Sequence, residues 1–195
     1  AMVEFGANLT GGQIVNYLAR NADNALIGWY WGAGPLGFYE RAYKLLMFPL
    51  TAINAPLSSV AVPALSRLKD NAEAYRRFFR RGVQLSSAIL FPFVVAMIAL
   101  AEPLVLTLLG PGWEESVAIF LALGPAALVT TTAPATHWVF VSWGHTRTWL
   151  KLVCVNSACI LLGFAIAISH GPFWMAVTYS IVVCAIRILN VLVAF

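Results

Sequence analysis

Five polar residues follow one side of a segment that is otherwise long and apolar enough to cross a membrane. At 100° per residue their side chains fall within about a third of a helix circumference. They are Gln13, Asn16, Arg20, Asp23 and Asn24. Arg20 lies about 16 Å from either end of the segment, where its guanidinium cannot easily reach water. An isolated charge at that depth costs at least ~2.5 kcal/mol, so we expect this polar stripe to face the protein interior.

Two kinds of chemistry fit the polar stripe. Arg20 and Asp23, spaced i to i+3, can neutralise each other and hydrogen-bond to neighbouring helices. Alternatively, the stripe lines a water-filled pathway for a hydrophilic cargo. Three asparagines beside the charged pair favour the pathway, because a self-satisfied ion pair does not need a whole polar face.

A second stripe follows after a short turn. Glu40 and Lys44 have the i, i+4 spacing of a salt bridge, and Arg41 lies about 100° away. Thr51, Asn54 and Ser58 continue this stripe along the same segment. Interfacial placement with snorkelling explains the three charges as well as function does. If the two stripes meet, the charges would form a cationic mouth.

The composition assigns both stripes to an integral membrane protein. Of the 195 residues 61% are hydrophobic and 10% are charged, whereas about a quarter are charged in soluble domains. Apolar segments without a period of two predict an all-α, six-transmembrane-helix bundle. The segments are 9–31, 36–65, 82–109, 117–143, 148–169 and 173–195, and we treat residues 1–195 as a single transmembrane domain.

Basic residues are concentrated in two of the connections between these segments. The other three connections contain no lysine or arginine, so both ends of this chain are expected to be cytoplasmic. Because the basic residues are concentrated in connections between apolar segments, a nucleic-acid partner is not expected. The connection between the second and third segments carries Arg67, Lys69, Arg76, Arg77, Arg80 and Arg81, and the one between the fourth and fifth carries Arg147 and Lys151.

The remaining polar or reactive residues do not suggest catalysis. Cys154, Cys159 and Cys184 lie in apolar segments without metal-ligand spacing, so no metal site is expected. Arg187 is explained by snorkelling, and His137 by hydrogen bonding between helices. Neither a zinc-protease motif nor a nucleophile elbow is present, and no enzyme activity is expected.

Several motifs occur in an order that resembles one transporter family. They are NYLARNADNALIGWYWGAGPLG, GPLGFYERAYKLLMFPLTAINAPLSSVAVPALSRL, LVLTLLGPGWEES and SWGHTRTWLK, which together cover most of the chain from Gly6 to about Lys151. Their order resembles the polysaccharide transporter family, the Wzx-like flippases of O-antigen, capsule and colanic acid. That family belongs to the multidrug/oligosaccharidyl-lipid/polysaccharide exporter superfamily. The last two segments are similar to it only in hydropathy.

The resemblance implies a fold, a cargo and a location. Such flippases have two six-helix lobes around a cationic cavity in the bacterial inner membrane. By alternating access they move undecaprenyl-pyrophosphate-linked oligosaccharides from the cytoplasmic to the periplasmic leaflet. This chain resembles the second lobe, so the N-terminal lobe is an expected partner, and a chain that starts at Ala1 is expected to be a fragment. No cofactor is implied beyond a coupling proton or sodium ion.

The resemblance also implies roles for particular residues. The implied cargo-binding residues are Arg20, Asn16, Asn24, Lys44 and Arg41. The cations would meet the pyrophosphate or an acidic sugar, and the amides would meet sugar hydroxyls. Asp23 and Glu40 are the implied ion-coupling candidates, because a partly desolvated carboxylate can change its proton affinity as the lobe moves.

Other functions remain open at this stage. A multidrug or lipid II exporter of the same superfamily would differ in cargo. A drug-cation exporter should have an acidic lumen, whereas the first two segments contain more cations than anions. A membrane-embedded enzyme of envelope synthesis lacks a supporting motif. A passive structural subunit would not need a polar stripe at the membrane midplane.

Overall fold

The computed structural model is helical and has no strand over the residues that it describes, which are 2–194 for the backbone and 4–19 and 21–189 for the side chains. The all-α class is confirmed. The helices are α1 (Met2–Trp31), α2 (Ala33–Arg67), α3 (Ala72–Ala99), α4 (Ala101–Leu109), α5 (Glu114–Thr130), α6 (Ala133–Ser142), α7 (Thr146–Ala167) and α8 (Pro172–Ala194). A single 3-10 turn, Ile168–His170, precedes α8.

The protein is a multi-pass membrane protein, but the predicted count of six apolar spans is wrong by one. Within the described residues, five spans are long and apolar enough to cross a bilayer. They are Ala33–Arg67, Ala72–Ala99, Glu114–Ser142, Thr146–His170 and Pro172–Leu189. Helix α1 is 30 residues long and is not among these five spans, and its polar stripe lowers its hydropathy.

Two of the predicted segments are divided in the structure. Helix α3 starts ten residues before the predicted third segment, because the Asn71 side chain caps it by accepting a hydrogen bond from the Ala74 N–H at 3.0 Å. Residues 72–81 of the basic connection are therefore helical. Helix α3 ends at Ala99, and α4 begins at Ala101 after the single residue Leu100. The fourth segment breaks between α5 and α6, just before Pro134, which cannot donate the next backbone hydrogen bond.

The main apolar core lies where α5 packs between α2 and α8. Phe120 and Leu123 of α5, Leu46 of α2 and Met175 of α8 are fully buried. Ala126 is also fully buried, and small residues at a membrane helix interface allow the backbones to approach closely. This packing holds α2 and α8 in fixed positions along one side of the bundle.

One end of the bundle gathers the turns that lack basic residues. The Trp31 indole N–H donates to the Ile168 carbonyl at 2.8 Å, which ties the α1–α2 turn to the turn before α8. The Ser116 hydroxyl donates to the Phe38 carbonyl at 3.0 Å, which brings the start of α5 to the start of α2. The turns after α1, α4 and α7 therefore lie at the same end.

The opposite end gathers the two basic connections. The Tyr75 and Ser142 hydroxyl oxygens are 2.8 Å apart, and the Tyr75 and Trp143 rings meet edge to face with centroids 5.7 Å apart. These contacts join the start of α3 to the end of α6. The folded chain thus separates its connections by charge into two ends, as the sequence predicts. Which end is cytoplasmic stays a prediction.

Candidate functional site

A polar cavity of about 400 Å³ lies between α1 and α2. It is lined by Gln13, Asn16, Tyr17, Asn21, Asn24, Glu40, Tyr43 and Lys44. Four of the predicted site residues, namely Asn16, Asn24, Glu40 and Lys44, therefore meet around one space. We call this space the small cavity.

The charges of the second stripe are arranged differently from the predicted cationic mouth. Lys44 Nζ lies 2.6 Å from Glu40 Oε1, which confirms the predicted i, i+4 salt bridge. Because both side chains are solvent-accessible, this pair contributes little to stability, and an anionic ligand can compete for the ammonium group. Arg41 is exposed on α2 and lines neither this cavity nor the one beside it.

Asp23 is the buried member of the first stripe among the described side chains. Its side chain is only 2% exposed, and the fully buried Tyr39 hydroxyl donates to its Oδ2 at 2.8 Å. The Asn24 N–H donates to its Oδ1 at 2.8 Å. Asp23 thus stabilises the packing of α1 on α2 and does not line the small cavity. Its predicted ion-coupling role would require this contact to open.

Arg20 lies in α1, but its side chain is outside the described residues. It follows Asn16 by four residues and precedes Asn24 by four, and residues at this spacing share a helix face. The predicted contact between Arg20 and phosphate stays a prediction.

A second cavity of about 460 Å³ adjoins the first, because Gln13 and Asn16 line both. We call it the large cavity, and it lies among α1, α2, α6, α7, α8 and the end of α5. Its polar lining continues from those two amides through Thr51, Asn54, Ser58, Thr130, Thr136, His137, Asn156, Ser157 and Arg187. No aspartate or glutamate is among the described lining residues, so Arg187 gives this cavity a positive charge.

The large cavity contains a buried acceptor that is not satisfied. Asn54 Oδ1 is buried and has no hydrogen-bond partner among the described residues. Buried polar atoms are nearly always hydrogen-bonded to protein or water. The amide therefore suits a water molecule or a ligand group that donates a hydrogen bond inside the cavity.

Close packing forms one wall of the large cavity. The His137 and Trp149 rings meet edge to face with centroids 5.2 Å apart. Helix α1 approaches α7 so closely that a Cβ on Gly12 would overlap the Trp149 ring. Only glycine allows this approach, and it places Gln13 and Asn16 beside α7.

Sequence reasoning missed Arg187 and His137 as cavity residues. Each is a lone polar residue in an apolar segment, where snorkelling or a hydrogen bond between helices was the simpler explanation. They converge only through tertiary packing, so their spacing along the sequence gave no signal. The described residues also contain no group of three or more His, Cys, Asp or Glu side chains placed to hold a metal ion.

Residues 1–118 match a family described as polysaccharide biosynthesis proteins. This region includes α1 to α4, and therefore all residues that line the small cavity. No solved structure matches the chain.

Similar proteins take part in making several bacterial polysaccharides. Teichuronic acid biosynthesis protein TuaB of Bacillus subtilis (strain 168) is 25% identical over 191 residues, which cover 97% of this chain and 38% of that protein. Lipopolysaccharide biosynthesis protein WzxC of Escherichia coli (strain K12) is 27% identical, with 62% and 25% covered. Succinoglycan biosynthesis transport protein ExoT of Rhizobium meliloti (strain 1021) is 23% identical, with 78% and 31% covered. The chain thus spans less than two fifths of the length of each relative.

Proposed function

Because this chain belongs to the family of polysaccharide biosynthesis proteins, we propose that it is part of a membrane transporter that moves a lipid-linked oligosaccharide across the bilayer. The proposed cargo is an undecaprenyl-pyrophosphate-linked repeat unit of a surface polysaccharide, and the proposed location is the bacterial inner membrane with both ends of this segment cytoplasmic. ExoT is named as a transport protein of succinoglycan biosynthesis. A charged, hydroxyl-rich head group cannot cross hydrocarbon unaided, so such a cargo needs a polar path.

The observation that carries this proposal is the pair of adjoining polar cavities among apolar helices. Gln13 and Asn16 are exposed and line both cavities, so polar side chains border the region where the two cavities adjoin. The amides of Asn16 and Asn24 can donate to and accept from sugar hydroxyls. Lys44 and Arg187 can donate charge-assisted hydrogen bonds to phosphate or to an acidic sugar.

The charge of the large cavity favours this cargo over a cationic drug. Arg187 repels a cation, and no carboxylate among the described lining residues offsets it. An exporter of drug cations would need the opposite sign. A lipid II exporter carries the same pyrophosphate chemistry and differs in the sugar.

Alternating access is the proposed mechanism, with a partner lobe completing the cavities. Paired transporter bundles commonly rock against each other around a fixed site. Asp23 and Glu40 are the proposed coupling groups for a proton or sodium ion. The Asp23–Tyr39 hydrogen bond connects such a site to the α1–α2 contact, so ion binding there would alter how these two helices pack. In this proposal the chain binds and moves its cargo and does not transform it chemically.

Arg187 provides the most direct test of the proposal. In cells that depend on this protein for surface polysaccharide, Arg187→Gln should lower the amount at the surface at least tenfold, roughly the loss of one charge-assisted hydrogen bond. Arg187→Lys keeps the charge and should retain most of the export. Protein levels in the membrane, measured by immunoblot, control for folding. Normal export by Arg187→Gln at normal protein levels would contradict the proposal.

A further inference from the structure

The first turns of α3 carry four arginines on one side of the helix. Arg76, Arg77, Arg80 and Arg81 are all exposed, and at 100° per residue they span about 140° of the helix surface. We call these four residues the basic surface. Phe78, beside them, is also exposed.

The guanidinium groups of the basic surface are available for a ligand. The one ion pair between two described side chains is Lys44–Glu40, and it lies on another helix. None of the four arginines therefore has a described carboxylate oxygen within 4.0 Å. Phe79, in contrast, packs against the small apolar cluster around Trp138 and Leu65, which holds the start of α3 on α2 and α6.

The length of α3 places the basic surface at the depth of the lipid headgroups. The helix has 28 residues and is about 42 Å long. Its uncharged part, residues 82–99, is about 27 Å long, close to the ~30 Å of hydrocarbon in a bilayer. Residues 76–81 extend about 9 Å beyond it, which is slightly more than the thickness of one headgroup layer.

Other basic residues lie at the same end of the bundle as the basic surface. The contacts of Tyr75 with Ser142 and Trp143 bring the α6–α7 turn next to the start of α3. Trp143 is exposed, as expected for an indole that settles at the membrane interface. Eight of the twelve lysines and arginines belong to these two connections, namely Arg67, Lys69, Arg76, Arg77, Arg80, Arg81, Arg147 and Lys151.

We propose that the basic surface binds the phosphate groups of anionic phospholipids in the folded protein. Guanidinium groups pair with phosphate oxygens in a bidentate manner, and clusters of four or more basic residues beside a membrane helix favour anionic lipids. Phe78 would lie among the glycerol and upper acyl carbons beside them. Arginines that serve only to orient the chain during insertion would not distinguish one lipid from another afterwards. This inference does not depend on the cargo of the transporter.

Lipid retention by the purified protein tests this inference. Detergent-solubilised protein is titrated with phosphatidylglycerol or phosphatidylcholine, and retained lipids are counted by native mass spectrometry. We expect phosphatidylglycerol to bind at least tenfold more tightly than phosphatidylcholine. Each basic residue near the headgroups raises the affinity for an anionic lipid roughly fivefold, and detergent weakens this contribution. Higher ionic strength should reduce the preference.

Charge variants identify the residues responsible. Changing all four arginines to glutamine (R76Q, R77Q, R80Q and R81Q) should remove the preference, whereas four lysines should keep most of it. Arg41→Gln changes an exposed arginine on another helix, and as the matched control it should leave the lipid preference unchanged. If the fourfold glutamine variant does not fold, the pairs R76Q/R80Q and R77Q/R81Q should each lose at least fivefold. Equal binding of the two lipids, or a preference that survives the glutamine changes in folded protein, would overturn the inference.

Discussion

Helix α2 borders a dry core along one stretch and a polar cavity along the next. Tyr39, Leu46 and Leu50 are buried against the apolar core, whereas Thr51 and Asn54 line the large cavity. Both stretches are regular helix. The difference is that α5 presents large apolar side chains to the first stretch, whereas the second faces a gap among helices with polar side chains. The buried face of the first stretch provides rigidity, and the polar face of the second stretch lines the large cavity.

Two prolines bracket the wet stretch. Pro49 and Pro56 have no backbone N–H, so each leaves one carbonyl of the preceding turn without its usual partner. Thr51 Oγ1 donates to the Phe48 carbonyl at 2.9 Å and Ser59 Oγ donates to the Pro56 carbonyl at 2.7 Å. Water in an adjoining cavity can satisfy such carbonyls, whereas a dry core cannot.

The largest expected effect follows from damage to the dry region. Phe120→Ala should lower the free energy of unfolding by about 3 kcal/mol, because it leaves a void in a fully buried site. This value is at the lower end of the range usual for Phe→Ala substitutions in protein cores. Lipid is itself apolar, so the lost stability comes mainly from lost packing contacts. Thr136→Ala, in the lining of the large cavity, should change the free energy of unfolding by less than about 0.5 kcal/mol. Unfolding of both variants in mixed micelles is the measurement, and equal losses would contradict the comparison.

The second effect is on the chemical accessibility of α2. After Cys154, Cys159 and Cys184 are replaced by alanine, single cysteines are placed at positions 46, 48, 51 and 54. A membrane-impermeant, hydrophilic thiol reagent should label positions 51 and 54 at least about tenfold faster than positions 46 and 48, because thiolate forms only where water reaches it. Leu46 is dry core, and Phe48 is 74% exposed on an apolar face that would meet acyl chains.

Labelling at position 48 as fast as at position 54 would contradict the assignment of wet and dry surfaces. If all four positions were equally protected from labelling, water would not reach the large cavity, and the cavity could not serve as the polar path in the proposed mechanism. In either case the apolar core could remain intact, so this experiment separates the two regions of α2.

The fold class was predictable because hydropathy acts over whole helices. Composition and segment length indicate an all-α membrane protein, and the distribution of arginines predicts which connections lie together. The predicted helix bounds were wrong where local hydrogen bonds and turns determine them. Asn71 starts α3 before the apolar stretch begins, and the break at Leu100 divides a segment that reads as continuous. Helix ends depend on caps and turns that average hydropathy does not record.

The candidate site was predictable only where it follows one helix face. Asn16 and Asn24 share a face of α1, and the structure brings both to the small cavity as the period of 3.6 predicts. Asp23 lies at the margin of the same stripe, where contact with Tyr39 buries it. Arg187 reaches the large cavity from a distant helix, while Arg41, beside Glu40 in sequence, does not. Residues that meet across helices depend on packing, which no single segment reveals.

The smallest expected effect concerns Asn54, where stability and function should oppose each other. Asn54→Leu removes the buried Oδ1 that has no described partner, so the free energy of unfolding should rise by up to about 1 kcal/mol. The same change removes a hydrogen-bonding group from the cavity and should lower polysaccharide export. Asn156→Leu is the matched control, because it lies in the same cavity but is not among the buried unpaired groups, and it should not increase stability. Proteins tolerate an unsatisfied polar group mainly where activity requires it. A variant that gains stability and exports normally would show that Asn54 serves neither the dry region nor the wet one.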